Sequence, residues 1–317
     1  MIKLTKKDKR LLFYLDENAR YSNTYLAKKT GMSVSNVIYR INRLVELKVI
    51  EEFYLLLNPF AFRSRYDRIM VSFKSAWDPA VIKDYCLKDR KIGWFIFFDA
   101  KWNFSCQVWS NTAAETKQVM LGLLAKFGDT IEEYAISSVI GIEKHEHNFL
   151  LPEKEAKQSS ILATPAISLD ALDKKILGLL SRQARMKLVD VATALACDYK
   201  TVSYRLKRLQ DAGLIIGYKL KLNRFNLGYD YYKVLIQLGS HTLAQLQTLK
   251  ATLRSDKRVL FITDGLGWAD LEFEMFCGNQ DEYRRFQTGL KKQFSPILKG
   301  YETLIPLEFE WNHFIPE

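Results

Sequence analysis

The sequence predicts an α+β fold made of two copies of one unit, each with three helices and a strand followed by a βαββαβ segment. Three observations carry this. Residue pairs recur 165 positions apart: Asp8-Lys9 with Asp173-Lys174, Ala19-Arg20 with Ala184-Arg185, Tyr39-Arg40 with Tyr204-Arg205, Arg43-Leu44 with Arg208-Leu209, and Leu57-Asn58 with Leu222-Asn223. The match runs on through Asp99 and Asp264 and, after small insertions, through Trp102/Trp268, Phe127/Phe294 and Tyr134/Tyr301. So long a period means a duplicated protein rather than a solenoid. Within residues 33–48, Val34, Val37, Ile41, Leu44 and Leu47 fall on one helical face. Beyond residue 58, and again beyond 224, strand-like and helix-like periods alternate.

Taken in order, each copy opens with an amphipathic helix, residues 6–17 and 171–181. A short helix follows at 23–30 and 189–196, with Ser22 as a cap in the first copy. After a turn at Gly31 comes the helix of 33–48, repeated at 198–213. Residues 49–58 and 214–223 are rich in β-branched, aromatic and leucine residues and read as strands forming a wing. Three helices and a wing make a winged helix-turn-helix. The rest of the first copy reads as strand 68–74, helix 79–88, strands 93–99 and 102–109, helix 113–127 and strand 131–143. The second repeats this at 231–238, 243–254, 259–264, 268–276, 281–294 and 296–310. That order packs as a ferredoxin-like sandwich with both helices on one sheet face. The other face carries enough apolar residues to need a cover. Aromatic strand segments such as WFIFF and YDYYKV are read as sheet core rather than as a ring-binding pocket. The expected domains are therefore winged helix-turn-helices at 1–58 and 169–224 and ferredoxin-like domains at 59–151 and 225–317. Between the copies, 152–168 reads as a polar linker without periodicity.

Charge places a function on the first part of each copy. The net charge is +11. Residues 1–58 hold 11 Lys/Arg against 6 Asp/Glu, and residues 169–224 hold 12 against 5, so the whole excess sits in the two helical heads. A polyanion partner is expected there. On the outward face of 33–48 lie Ser35, Asn36, Tyr39 and Arg43, with Arg40 on the shoulder. Lys200, Thr201, Tyr204, Arg205 and Arg208 hold the matching places. A helix after a tight turn, showing amide, phenol and guanidinium groups, is laid out to read double-stranded DNA in the major groove. Arginine suits guanine, and Asn36 suits adenine. Arg40 and Arg205, at the shoulder, also suit an internal salt bridge. The differences at 35/200 and 36/201 imply heads with different half-site preferences.

Other classes lack support. No apolar run approaches the roughly 20 residues that span a bilayer, and the N-terminal residues lack the pattern of a secretion signal, so cytoplasmic residence is expected. The cysteines at 86, 106, 197 and 277 are too scattered for zinc and read as reduced, mostly buried hydrophobes. His145 and His147 alternate about Glu146 with no third ligand near; a solvated strand end is the plainer reading. Nucleophile elbows and phosphate-binding glycine loops are missing, and no cofactor is expected.

The run LDALDKKILGLLSRQARMKLVDVATAL…TVSYRLKRLQDAGLIIGYKLKLN resembles the DNA-binding half of the Lrp/AsnC (feast/famine) transcription regulators, especially archaeal members. Its most specific elements are Asp173-Lys174-Lys175-Ile176, the Tyr204–Leu209 hexapeptide YRLKRL, and Asp264-Gly265 with Gly267-Trp268-Ala269-Asp270-Leu271. The βαββαβ part resembles that family's effector-binding and oligomerisation domain. The resemblance covers both copies, and the tandem arrangement departs from the usual single copy. It implies that two such domains stack by their sheet faces, here either within one chain as a pseudo-dimer or between chains in a homo-oligomer. It also implies an effector such as an amino acid, held near the turn between the middle strands by Asp264, Gly265, Gly267 and Asp270. The first copy has Asp99, Ala100, Lys101, Trp102 and Asn103 there and is expected to be degenerate. The glycines also suit a tight hairpin. Two alternatives share the fold. One is a sirohaem-decarboxylase-like tetrapyrrole enzyme, whose relatives use a His-Asn-Tyr-x-Arg type motif; the strands WFIFFDAKWNF and VLFITDGLGWADL contain no histidine. The other is a regulator subunit that has lost DNA binding.

Overall fold

The computed structural model describes residues 2–316 apart from 63, 75–76, 155–157 and 163, and apart from the side chain at 224. In the first head, α1 (Lys6–Glu17), α2 (Asn23–Thr30) and α3 (Val34–Glu46) match α6 (Ala171–Ser181), α7 (Leu188–Ala194) and α8 (Tyr199–Asp211) in the second. α1 and α6 each start in a capping box, Thr5 with Asp8 and Asp170 with Asp173. Gly31 closes α2 at φ 68°, where a residue without Cβ turns the chain without strain. Ser33 and Asp198 cap α3 and α8 through their side chains. Val37, Ile41 and Leu44 are buried, as are Val202, Leu206 and Leu209. The expected stripe is shorter than its pattern, because Val34 and Leu47 stay exposed. The eight residues of α2 span about 12 Å, and the thirteen of α3 about 20 Å.

The strands that follow the heads are β1 (Ile50–Leu57) and β7 (Ile215–Leu222). They were expected as separate wings. Instead they pair antiparallel with each other, Phe53 opposite Leu220 and Leu55 opposite Tyr218, as a two-stranded ribbon joining the heads. A lone strand leaves its backbone groups unpaired, and here the other copy supplies the missing edge. Reciprocal contacts lock the arrangement. Arg20 donates from Nη1 to Ala184 O (2.6 Å) and Met186 O (3.1 Å). Arg185 donates to Ala19 O and to Asn23 Oδ1 (3.1 Å). Arg20 lies 5.2 Å over the Tyr218 ring and Arg185 5.5 Å over Phe53. The repeated Ala-Arg pair is thus a clasp between heads.

After the ribbon come β2 (Arg65–Phe73), α4 (Pro79–Lys88), β3 (Ile92–Asp99), β4 (Phe104–Ser110), α5 (Ala113–Phe127) and β5 (Ile131–His145). The second copy has the short α9 (Arg224–Leu227), then β8 (Asp230–Leu238), α10 (Leu243–Ser255), β9 (Val259–Gly267), β10 (Leu271–Cys277), α11 (Gln280–Phe294) and β11 (Leu298–Trp311). Each copy has the βαββαβ order expected. The strands then run β2-β4-β3-β11-β8-β10-β9-β5, and β5 returns to pair with β2, so the sheet closes into a ring. The last strand of each copy outruns its own sheet and pairs with the second strand of the other, β5 with β9 and β11 with β3. Pairing with β9 and then β6 carries β5 to 145, and pairing with β5 carries β9 to 267, past the ends expected at 143 and 264.

The four long helices pack outside the ring over two cores, one around Phe95, Phe104 and Leu123, the other around Phe273, Leu253 and Leu290. The apolar inner faces meet each other: Met70, Phe98, Trp102, Leu235, Ala269 and Leu304 form a shared core, and the repeat-related Trp102 and Trp268 touch edge to face at 5.0 Å. The copies therefore stack within one chain. Segment 152–168 is not a free spacer, because β6 (Gln158–Ile161) adds to β5 where β2 has ended. Ile167 N also donates to Ala61 O (2.8 Å).

Candidate nucleic-acid interface

On α3, Ser35, Asn36 and Arg43 are exposed, and Tyr39 is 64% exposed; on α8, Lys200 and Arg208 are exposed and Tyr204 is 70% exposed, while Thr201 is half-buried. The buried Val37/Ile41/Leu44 stripe fixes these side chains outward. Arg40 and Arg205 turn back to α1 and α6. Arg40 Nη1 lies 2.6 Å from Asp8 Oδ1, and Arg205 Nη1 lies 2.5 Å from Asp170 Oδ2 and 3.0 Å from Asp173 Oδ1. The Arg205 hydrogen bond holds Asp170 down at about 2. Burial works to raise Asp8, and hydrogen bonds from Thr5 and Arg40 outweigh it and lower it. Arg40 Nε also donates to Asn36 Oδ1 (2.7 Å). The heads differ at the next arginine: Arg208 contacts Asp173, whereas Arg43 has no ion-pair partner among the described residues.

At the turn between the middle strands of the second copy, each expected effector residue already has a partner. Asp264 Oδ2 accepts from Lys250 Nζ (2.6 Å), and Asp270 Oδ2 accepts from Leu238 N (2.7 Å). Asn103 of the first copy does the job of Asp270, accepting from Phe73 N at 2.9 Å. Gly265 donates to Asp270 O, and a Cβ there would meet Ala269 O at 2.4 Å. Gly267 has φ 127°, and its Cβ would meet Ile136 O at 2.6 Å. Both glycines lie where β9 pairs with β5, so closing the ring accounts for them.

Between the ribbon and the ring lies a cavity of about 500 Å³ that the sequence reading missed. Tyr54, Leu56, Leu220 and Leu222 roof it. Alternate residues of the aromatic strands face it: Trp94 and Tyr231 line the cavity, while Phe95 and Tyr232 belong to the outer cores. On its floor, Arg68 and Lys233 project from matching places on β2 and β8. Arg68 contacts Glu272, and Lys233 Nζ lies 2.7 Å from Glu272 and 2.8 Å from Glu274. Burial, then the charge of Arg68, lowers Lys233 to about 8. The alternation Tyr66-x-Arg68 and Tyr231-x-Lys233 was the available signal for an inward polar face.

A second buried cluster corrects the reading of 145–147 as a solvated strand end: His145 and His147 are 2% and 7% exposed. His147 Nδ1 lies 2.7 Å from Asp16 Oδ2, and Lys219 Nζ lies 2.5 Å from Glu146 Oε1. The end of β5 is covered because it runs on beneath α1 and the ribbon. Burial, then the neighbouring Asp16, pushes Glu146 up to about 8; burial lowers His145 to about 4. Among the described residues no group of three or more His, Cys, Asp or Glu is placed to hold a metal, all four cysteines are free with three buried, and no helix is long and apolar enough to cross a membrane.

These heads are winged helix-turn-helix units: the model of winged helix-turn-helix DNA-binding domains matches residues 4–51 and 169–216. An uncharacterised HTH-type transcriptional regulator of Pyrococcus abyssi is 32% identical over 123 residues, 38% of this chain and 82% of that protein. The HTH-type regulator LrpA of the same organism is 39% identical over 61 residues, 19% of this chain and 43% of LrpA. The chain belongs to the Lrp/AsnC family of HTH-type transcriptional regulators, in tandem-duplicated form. The solved structure of the siroheme decarboxylase NirDL in complex with an iron-uroporphyrin III analogue matches 98% of this chain and 94% of its own, with a TM-score of 0.63 at 11% identity, which shows a shared duplicated fold.

Proposed function

We propose that one polypeptide acts as a complete, pseudo-dimeric reader of double-stranded DNA in transcriptional regulation. The observation that carries this is the pair of recognition helices, each with an outward Tyr and Arg, clasped to each other by Arg20, Arg185 and the β1–β7 ribbon. Phosphate neutralisation by the basic heads supplies affinity, and Ser35, Asn36, Tyr39 and Arg43, with Lys200, Thr201, Tyr204 and Arg208, supply base and backbone contacts. Arg40 and Arg205 act one step back, orienting each recognition helix through Asp8 and Asp173. Because the two reading faces differ, the preferred operator has two unlike half-sites. DNA in the cell interior is the partner, and a small molecule modulates the binding.

The test is binding to duplex DNA across a salt series, for the wild type and the Arg43→Ala/Arg208→Ala double variant. The expected result is a log–log slope near −0.9 per phosphate neutralised and weaker binding by the variant. No binding at about 50 mM salt by either protein would end this reading.

A second reading, tetrapyrrole chemistry of the sirohaem-decarboxylase type, has one observation behind it. Tyr66 and Arg68, a Tyr-x-Arg element on β2 rather than on the middle strands, line the cavity together with His147. Residues 64 and 65 are Ser and Arg, so the His-Asn half is absent there. Titration with an iron uroporphyrin separates the two: saturable absorbance change with carbon dioxide release and no DNA affinity favours the enzyme.

A further inference from the structure

We propose that the cavity beneath the ribbon is the effector site of this regulator and that its ligand is a small aromatic carboxylate. This rests on the DNA-reading function proposed above. At about 500 Å³ the cavity is of ligand size, and its lining is mostly apolar with a few convergent polar groups. One wall is aromatic, with Trp94, Trp109, Phe309 and Trp311 offering ring faces and edges. Against it stand buried cations whose hydrogen-bonding capacity is not used up. Arg68 is 5% exposed, and its Nε has no hydrogen-bond partner among the described residues. Lys144 is 1% exposed; its Nζ donates to His145 O (2.6 Å), and the nearest carboxylate, Asp16 Oδ2, is 3.7 Å away, outside hydrogen-bond reach.

Those two groups select the ligand's charge. A carboxylate entering beside Arg68 and Lys144 finds cationic charge in a water-poor space, where charge-assisted hydrogen bonds are strong. A cation would meet Arg68, Lys144 and Lys233, while the lining carboxylates Glu51, Glu274 and Glu308 are each already paired with a lysine. A neutral apolar molecule would leave the donors buried without acceptors.

The position of the cavity supplies the coupling. Its roof, Tyr54, Leu56, Leu220 and Leu222, lies on the two strands that follow the recognition helices α3 and α8. A ligand bearing on that ribbon acts on both heads at once, and it changes DNA affinity to the extent that it prefers one head arrangement over the other. The turn at 264–270, by contrast, has its carboxylates and glycines engaged within the chain.

The experiment uses the full chain with 8-anilinonaphthalene-1-sulfonate as a fluorescent probe, displaced by indole-3-acetate or by neutral indole-3-acetamide. The expected result is probe fluorescence in the folded wild type and displacement by the acid at about tenfold lower concentration than by the amide. Lys144→Met brings the two to within about threefold. Leu56→Trp, which fills the cavity from the roof, loses probe and acid alike; if it fails to fold, Leu222→Phe takes its place. Saturating acid shifts DNA affinity by about fivefold or more in the wild type and not in the filled variant. Equal displacement by acid and amide in the wild type, or wild-type binding by the folded filled variant, overturns the site. Acid binding with unmoved DNA affinity overturns the effector role. Acid binding in a protein with no DNA affinity at all overturns the DNA-reading function and leaves the carboxylate site standing.

Discussion

The two copies share a backbone but not a set of side chains, and where they differ follows a rule. Along the ribbon and its clasp and at the centre of the shared core, residues through which the copies touch keep their type: Arg20 and Arg185, the aromatic Phe53 and Tyr218, Trp102 and Trp268. A contact across a pseudo-twofold axis uses the same patch twice, so changing one member breaks its match with the other. Buried polar positions in and around the shared cavity have drifted apart. The inward positions of β4 hold Ser105 and Gln107 where β10 holds Glu272 and Glu274. The end of β5 carries Lys144 and His147 where the end of β11 carries Phe309 and Asn312. Both copies line the cavity, so a single chain can place different side chains at equivalent positions of its lining. A symmetric homodimer has to repeat every residue in both copies.

The sharpest test of that asymmetry compares Glu272 with its counterpart Ser105. Glu272→Ala leaves Arg68 buried with no carboxylate in contact, and should cost about 3–5 kcal/mol in denaturant unfolding. Ser105 is buried and its hydroxyl has no hydrogen-bond partner among the described residues, so Ser105→Ala should be neutral or slightly stabilising. Equal effects would show that the inner faces are still equivalent.

Next in size is a pH effect confined to the first copy. Glu146 is held up at about 8, against about 4.3 for a free glutamate. Between those values the folded chain keeps a proton that the unfolded chain has released. Its contribution to stability is therefore full below about pH 4 and is lost as pH rises toward 8. Glu146→Gln should remove that contribution, read as a wild-type-minus-variant difference in unfolding midpoint that shrinks between pH 5 and 8, while the buried His145 and His147 pull the other way in both proteins.

The clasp should respond symmetrically. Arg20→Ala and Arg185→Ala each remove charge-assisted bonds to carbonyls, at about 2 kcal/mol apiece, and a clear inequality in their melting shifts would mean the pseudo-symmetry is broken there as well. The smallest effect separates the reading faces. Arg43→Ala should weaken duplex binding by about 1 kcal/mol and lower the salt slope by about one. Arg208→Ala should do less, since that guanidinium is already held by Asp173.

Most of the element content was legible in the sequence. Helices at 6–17, 23–30, 79–88 and 113–127 fall where the apolar period and the caps place them. The 165-residue repeat showed that Arg20 and Arg185, Trp102 and Trp268, and Arg40 and Arg205 have equivalent roles, and the shoulder position of Arg40 pointed to the internal pair it forms with Asp8. What each repeated residue touches was not legible. Spacing along the chain reports which face of an element is apolar, whereas a contact between Arg20 and Ala184 depends on where two heads come to rest.

The duplicated architecture, the two basic heads and the outward faces of their recognition helices can be read along the chain, because those properties are periodic and local. It took the folded chain to show that β1 and β7 form a ribbon instead of two wings, that residues 158–161 extend a sheet edge, that His147 is buried, and that a cavity lined by aromatic rings and buried charges lies between the copies. A strand edge accepts whichever partner is brought alongside it, and a buried charge is tolerated only where its neighbours compensate it. Both are settled by chain segments far apart in sequence that meet only when the ring closes.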